Sequence, residues 1–262
     1  MYPVLAMWDF HATIGGLIVG LLVGLSGVGG GSLMMPILVL LLGVSPLIAV
    51  GTDLAYSVPT KLVGAIVHKR QGTIHAKLVG VLCAGGIPGA LLGLATLAFV
   101  KAHVDIDQLN ALLRHIIGVL LIIIAIAIVA AQIISTHRPA ETVSIRAKAP
   151  LIIAIGAIVG FLVSITSIGA GSITLTALAL VLPRLRLQQL VGSDVAFAAI
   201  IVPIAAAGHM TLGSINWPLT LSLLLGSVPG VYAGSRLCAI LPLPYLRPVI
   251  AAVLAFAGVK LF

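Results

Sequence analysis

Eight apolar stretches run along the chain, at 12–42, 49–67, 78–100, 111–134, 150–182, 191–210, 217–240 and 244–262. Six are about 19–24 residues long, enough for an α-helix to cross ~30 Å of hydrocarbon at 1.5 Å per residue. The other two, 12–42 and 150–182, are longer than one span needs. Each is interrupted in its middle by Gly, Ser or Thr, and each is predicted to be a broken helical hairpin. With limbs of about 14–16 residues, or roughly 21–24 Å as helix, such a hairpin turns inside the bilayer.

The long polar stretch lies at 135–150 and holds His137, Arg138, Glu141, Arg146 and Lys148. It reads as a linker between two halves. The expected division is an N-terminal transmembrane repeat at 1–134, a cytoplasmic linker at 135–149 and a C-terminal transmembrane repeat at 150–262. A shift of 141 residues places Gly51-Thr52-Asp53 on Gly192-Ser193-Asp194 and His68 on His209. It also places Gly72-Thr73-Ile74 on Gly213-Ser214-Ile215, and Pro88-Gly89 on Pro229-Gly230. Over 51–93 against 192–234, 13 of 43 positions are identical. Upstream the shift becomes 140, and Gly20, Gly29, Gly31 and Ser32 meet Gly160, Gly169, Gly171 and Ser172. Asp, His and Pro in register do not arise from shared hydrophobicity, so the halves are duplicates.

Composition supports a membrane protein. The chain of 262 residues is 61% apolar and 8% charged, against roughly 45–50% and about 25% in soluble domains. A soluble fold cannot hide that much apolar surface. The net charge of +8 reads as basic cytoplasmic loops rather than a nucleic-acid surface, because no basic run is long or interleaved with aromatics. Its distribution tests the topology. With both long stretches returning as hairpins, Lys69, Arg70, Lys77, Arg138, Arg146, Lys148, Arg184, Arg186, Arg236 and Arg247 share one side, and only Lys101 and Lys260 lie opposite. Eight single crossings leave no such bias. Five passes per half is odd, so the repeats enter from opposite sides. The fold expected is an all-α polytopic membrane protein with two inverted repeats, each a broken helical hairpin plus three transmembrane helices. Inverted repeats are typical of secondary transporters.

Chemistry concentrates at the hairpin tips. The first carries Ser26, Gly27, Gly29, Gly30, Gly31 and Ser32. The second carries Thr166, Ser167, Gly169, Gly171 and Ser172. Glycines permit close backbone approach, hydroxyls donate, and a helix beginning just after a tip offers free N–H groups and a positive dipole end. Two facing tips would bind a small anion without a full positive charge. The competing reading is that Gly and Ser serve close helix packing. Asp53 and Asp194 are equivalent acids at membrane depth, candidates for ion coupling or for bonding backbone N–H groups near a tip. Lys61 either supplies charge to an anion pathway or, the reading preferred from sequence, snorkels toward Lys69 and Arg70. His68 and His209, a repeat-equivalent pair at stretch ends, read as interface polar residues, with proton handling the competing reading. Pro88-Gly89 and Pro229-Gly230 read as kinks or tight packing points. The cysteines, Cys83 and Cys238, lie in apolar stretches. No metal-ligand cluster, nucleophile–base pair or ATP-binding loop is apparent, so no metal, cofactor or catalytic residue is expected.

The run Gly24-Leu25-Ser26-Gly27-Val28-Gly29-Gly30-Gly31-Ser32 with Pro36, then Gly51-Thr52-Asp53-Leu54, then Gly85-Gly86-Ile87-Pro88-Gly89, resembles the TauE/SafE family of sulfite and organosulfonate exporters. The resemblance covers about 14–100 and, through the degenerate repeat, 153–240. It implies a multi-pass carrier of a prokaryotic inner membrane for small sulfur-containing or carboxylated anions. It carries functional residues only onto the tips, Ser26 to Ser32 and Thr166 to Ser172.

The reading that follows is a non-enzymatic secondary transporter exporting small anions such as sulfite or organosulfonates by alternating access. Its partners are the anionic substrate and the lipid bilayer, not nucleic acid; a homodimer is an allowed assembly. The alternatives are an anion channel, a carrier of small carboxylates and, further off, an intramembrane enzyme or assembly factor.

Overall fold

A computed structural model describes residues 10–26, 30–134, 145–237 and 243–262. Among these, ten α-helices and no strand are found. They are α1 (Phe10–Ser26), α2 (Gly30–Pro36), α3 (Pro46–Arg70), α4 (Ala76–His103), α5 (Ile106–Ile134), α6 (Ala149–Thr166), α7 (Ile173–Val181), α8 (Leu187–Thr211), α9 (Trp217–Leu237) and α10 (Leu243–Lys260). The chain is therefore an all-α, multi-pass membrane protein. Among the described residues, α4, α6, α8 and Ile106–Val129 of α5 are each long and apolar enough to span a bilayer. Large apolar side chains such as Leu41, Leu91, Phe99, Leu221 and Phe256 face outward, as a lipid-facing surface requires.

The two overlong stretches are the ones that split, into α1 and α2 and into α6 and α7. Their limbs are less equal than expected. The first limbs have 17 and 18 residues. The second limbs are α2, continued by a five-residue π-turn at Ile37–Leu41, and the nine-residue α7. Pro36, at the junction of α2 and the π-turn, has no N–H to give an α-helical ladder, so a local change of winding is expected there.

The halves interlock by exchanging partners. α1 of the first half packs along α9 of the second, and α6 of the second along α4 of the first. The equivalent helices α3 and α8 pair with each other, as do α5 and α10. Glycine makes the first two contacts. A Cβ on Gly85, Gly89 or Gly93 would run into the carbonyl oxygens of Ile153, Ala157 and Phe161. One on Gly226, Gly230 or Gly234 would meet those of Thr13, Leu17 and Leu21. These are the same contacts under the repeat shift. Without a hydrophobic drive between helices in lipid, such close backbone approach is the main source of association. Gly20 and Gly160 lie in the same seams, since a Cβ on either would strike Ser227 or Gly86 backbone. Both Pro-Gly pairs lie inside unbroken helices and act as packing points.

The same contacts give direction. Numbers rise together along α4 and α6, and along α1 and α9, so these pairs run parallel. Gly51 of α3 meets Ser214 beyond the end of α8, and Gly192 of α8 meets Thr73 beyond the end of α3, so α3 and α8 run antiparallel. His115 of α5 meets the Phe262 ring, and Gly258 of α10 meets Ile122, so α5 and α10 are antiparallel also.

Candidate functional site

The site begins with the duplicated loops that close α3 and α8. Gly72 and Gly213 adopt φ of 67° and 64°, which lets each helix end in a left-handed residue. Thr73 N then donates to His68 O, and Ser214 N to His209 O, both at 3.1 Å. A matched cap opens the next helix in each half: His75 Nδ1 accepts from Leu78 N, and Asn216 Oδ1 from Leu219 N. Each loop is latched to the opposite half. His75 N donates to Ser193 Oγ at 2.9 Å, and Asn216 N to Thr52 Oγ1 at 3.1 Å. The motif Gly-Thr/Ser-Asp thus divides its labour. Its glycine admits the other half's loop, its hydroxyl receives that loop's amide, and its carboxylate is free to turn toward a hairpin tip.

Both carboxylates do so. Asp53 and Asp194 are buried. Asp53 Oδ2 accepts the Ser167 hydroxyl at 2.7 Å, across the two halves. Asp194 Oδ1 accepts from Gly171 N at 3.3 Å. Gly31 of the first hairpin presses into the same place: a Cβ there would sit 3.0 Å from Asp53 Oδ2 and would collide with the Ser167 carbonyl. Gly31, Ser167, Gly171, Asp53 and Asp194 are therefore one cluster. Ser167 holds φ of 59°, a conformation costly for a residue with a Cβ. Gly169 and Gly171 hold φ of 140° and 99°, open to glycine alone.

The other predicted tip residues divide as follows. Thr166, the last residue of α6, donates to Leu162 O and receives the Ile168 amide. Ser172 caps α7 by position, without a side-chain bond. Ser32 is buried in α2. Gly30 opens α2 with no crowding. Ser26 ends α1, while Gly27 and Gly29 lie outside the described residues. The free helix-start amides expected at α7 are not free. The Gly169 carbonyl takes Ile173 N, Thr174 N and the Thr174 hydroxyl, and Asp194 takes Gly171 N. The turn satisfies its own donors because its glycines let the chain fold back on itself.

Lys61 stands half-buried on α3. Its positive charge is felt at both Asp53 and Asp194. His209 is fully buried. Its Nε2 donates to Ser164 O and its Nδ1 pairs with Ser214 Oγ, both at 2.8 Å, so it ties the end of α6 to the α8 loop. His68 makes the matching pair with Thr73 at 2.8 Å but is only half-buried. A cleft of about 150 Å³ opens beside Ser214, lined also by Ser45, Lys101 and Asn110. Sequence reasoning missed Ser164 and Thr174 as site neighbours, and Thr52 and Ser193 as latches. Buried hydroxyls flanking a tip in an apolar stretch were the available signal. Among the described residues, no three His, Cys, Asp or Glu side chains group as metal ligands would.

A hairpin-bearing, duplicated helical membrane protein with paired acids at its tips is the class defined so far. The model of the family "Sulfite exporter TauE/SafE" matches residues 12–261, and the chain belongs to this family of membrane transporters. It is 39% identical to "Probable membrane transporter protein YjnA" of Bacillus subtilis (strain 168), over 94% of this chain and 96% of that one. It is 26% identical to "Probable membrane transporter protein YdhB" of the same organism, over 93% and 96%. No solved structure matches the chain.

Proposed function

We propose that the protein is a secondary transporter of sulfite and small organosulfonates in a prokaryotic inner membrane, working by alternating access between two inverted repeats. The observation that carries this reading is the meeting of Gly31 and Ser167, from the two hairpins, at one buried polar point beside Asp53. The tips bring hydroxyl and amide donors to this buried point, and such donors suit an oxyanion. Opposite insertion of the halves is supported by the antiparallel course of α3 against α8 and of α5 against α10. It is supported again by the ten-to-two division of basic loop residues. The halves rock about the glycine-lined seams between α1 and α9 and between α4 and α6. The substrate crosses without chemical change.

The test is a thermal-shift panel on detergent-purified protein with sulfite, sulfate, thiosulfate, sulfoacetate, isethionate, taurine and simple carboxylates. A ligand that binds the folded state stabilises it by mass action. A selective shift with sulfite or the sulfonates, absent in Gly31→Leu, is expected. Shifts with carboxylates alone would replace the substrate class.

A further inference from the structure

The donors that suit a substrate oxyanion at the second tip are occupied in this structure, and two carboxylates of the chain itself occupy them. Ser167 Oγ–H is spent on Asp53 Oδ2 at 2.7 Å, and Gly171 N–H on Asp194 Oδ1 at 3.3 Å. A carboxylate and a sulfonate present the same kind of oxygen to the same kind of donor. We propose that Asp53 and Asp194 are tethered stand-ins for the substrate anion, and that a proton taken up by Asp53 releases the Ser167 hydroxyl to the substrate, coupling anion movement to proton movement. The inference rests on the transport reading above.

Asp53 is the acceptor because its two oxygens differ. Oδ2 has the Ser167 hydroxyl, whereas Oδ1 is buried with no hydrogen-bond partner. The proton forms its O–H bond at Oδ1. The carboxyl group, now neutral, gives up the Ser167 hydroxyl, and that hydroxyl donates to a substrate oxygen instead. One proton and one anion enter together, and both leave together when the site opens to the other side.

Charge balance requires the same step. With both acids ionised, Asp53, Asp194 and Lys61 sum to one negative charge among buried apolar side chains. A substrate anion would add a second, and isolated charge at that depth is expensive. A proton restores the balance. No other group nearby can supply it as simply. On α3, Tyr56 is the further titratable neighbour, and its hydroxyl interacts with Ser227 of α9. On α8, His209 is engaged at both ring nitrogens by Ser164 and Ser214. α2, the π-turn and the α6–α7 turn bring no titratable side chain. Asp107, Arg114 and His115 of α5 and Tyr232 of α9 are exposed. The repeat also explains why Asp194 is not equivalent. The counterpart of Ser167 under the repeat shift is Gly27, which has no hydroxyl to exchange.

The experiment uses the full chain in proteoliposomes, with labelled isethionate as probe, because its single sulfonate charge does not itself carry protons near neutrality. Sodium is omitted, and the membrane potential is clamped at zero with valinomycin and equal potassium. A pH gradient of one unit, acid outside, is expected to drive about tenfold accumulation inside, the equilibrium for one proton per anion. Asp53→Asn is expected to lose this accumulation, with its exchange of labelled for unlabelled isethionate measured beside it and its thermal unfolding transition in detergent showing that the variant folded. Wild-type exchange with no response to the gradient would overturn the coupling and leave the transport reading intact, as would accumulation that needs sodium. Asp53→Asn accumulating like the wild type would overturn the assignment to Asp53. Should the variant fail to exchange, the wild-type response to the gradient still decides the coupling, and Ser167→Ala, expected to weaken isethionate exchange at least tenfold, decides the donor. Absence of wild-type exchange would overturn the sulfonate reading and this inference with it.

Discussion

Ser167 and Asp53 lie 114 positions apart in the sequence and are joined by a 2.7 Å hydrogen bond in the buried centre of the molecule. The bond links a hairpin tip of one half to a helix of the other. It is the one hydrogen bond described for the Asp53 carboxylate, whose second oxygen has none. Ser167→Ala is therefore expected to destabilise the protein by about 1–3 kcal/mol, the usual cost of a buried polar group left without its partner. Loss of apparent Tm in detergent, larger than for Ser172→Ala at the uncommitted α7 cap, checks this.

Glycine seams make a sharper prediction. Gly85→Ala and Gly226→Ala place a methyl against the carbonyls of Ile153 and Thr13, and overpacking of this kind costs about 1–3 kcal/mol. Gly80, in the same helix as Gly85, has open space where a methyl group would go, with no neighbouring atom within 4 Å. Gly80→Ala is expected to be neutral or stabilising by about 0.5–1 kcal/mol. Thermal unfolding of the three variants side by side separates packing from helix propensity.

The histidine pair tests how far the repeat symmetry extends. His209→Ala strands Ser164 O in a buried place and takes one of two partners from Ser214 Oγ, whereas His68→Ala removes a half-buried side chain with one partner. The first is expected to lower stability by about 1–3 kcal/mol more than the second. Equal losses would mean that burial at His209 contributes nothing.

At Gly213 no neighbour crowds an added side chain, but φ is +64°. Gly213→Ala should cost about 1–2 kcal/mol from backbone strain alone, and Gly213→Asn less, since Asn tolerates the left-handed region. A cost for Ala with relief for Asn identifies conformation rather than packing as the cause.

Orientation of the halves is open to direct labelling. Gln71 and Thr211 sit at equivalent ends of α3 and α8 and are exposed. With both native cysteines replaced, Gln71→Cys should react with an impermeant maleimide only from the cytoplasmic side, and Thr211→Cys only from the other. Labelling from one common side would sink the inverted-repeat reading.

Hydropathy and glycine placement made most of this architecture legible in the sequence. The stretch boundaries anticipated the helices, because a membrane span is a length and a polarity, both local properties. The two overlong stretches with central Gly and Ser anticipated the broken pairs α1–α2 and α6–α7. Internal duplication, visible in Asp53 and Asp194 and in His68 and His209, identified which residues would fall in matching places. Limb lengths were not legible, because where a hairpin turns depends on the helices it packs against. Nor was the closing of the second tip on itself: Gly169 O reaches Ile173 N and Thr174 only after the turn closes. Above all, the bond from Ser167 to Asp53 joins residues from different halves, and no local pattern encodes such a meeting. Periodicity and composition report what each segment needs from its solvent. Only packing between the halves, set by glycines that let backbones touch, decides which polar groups find each other.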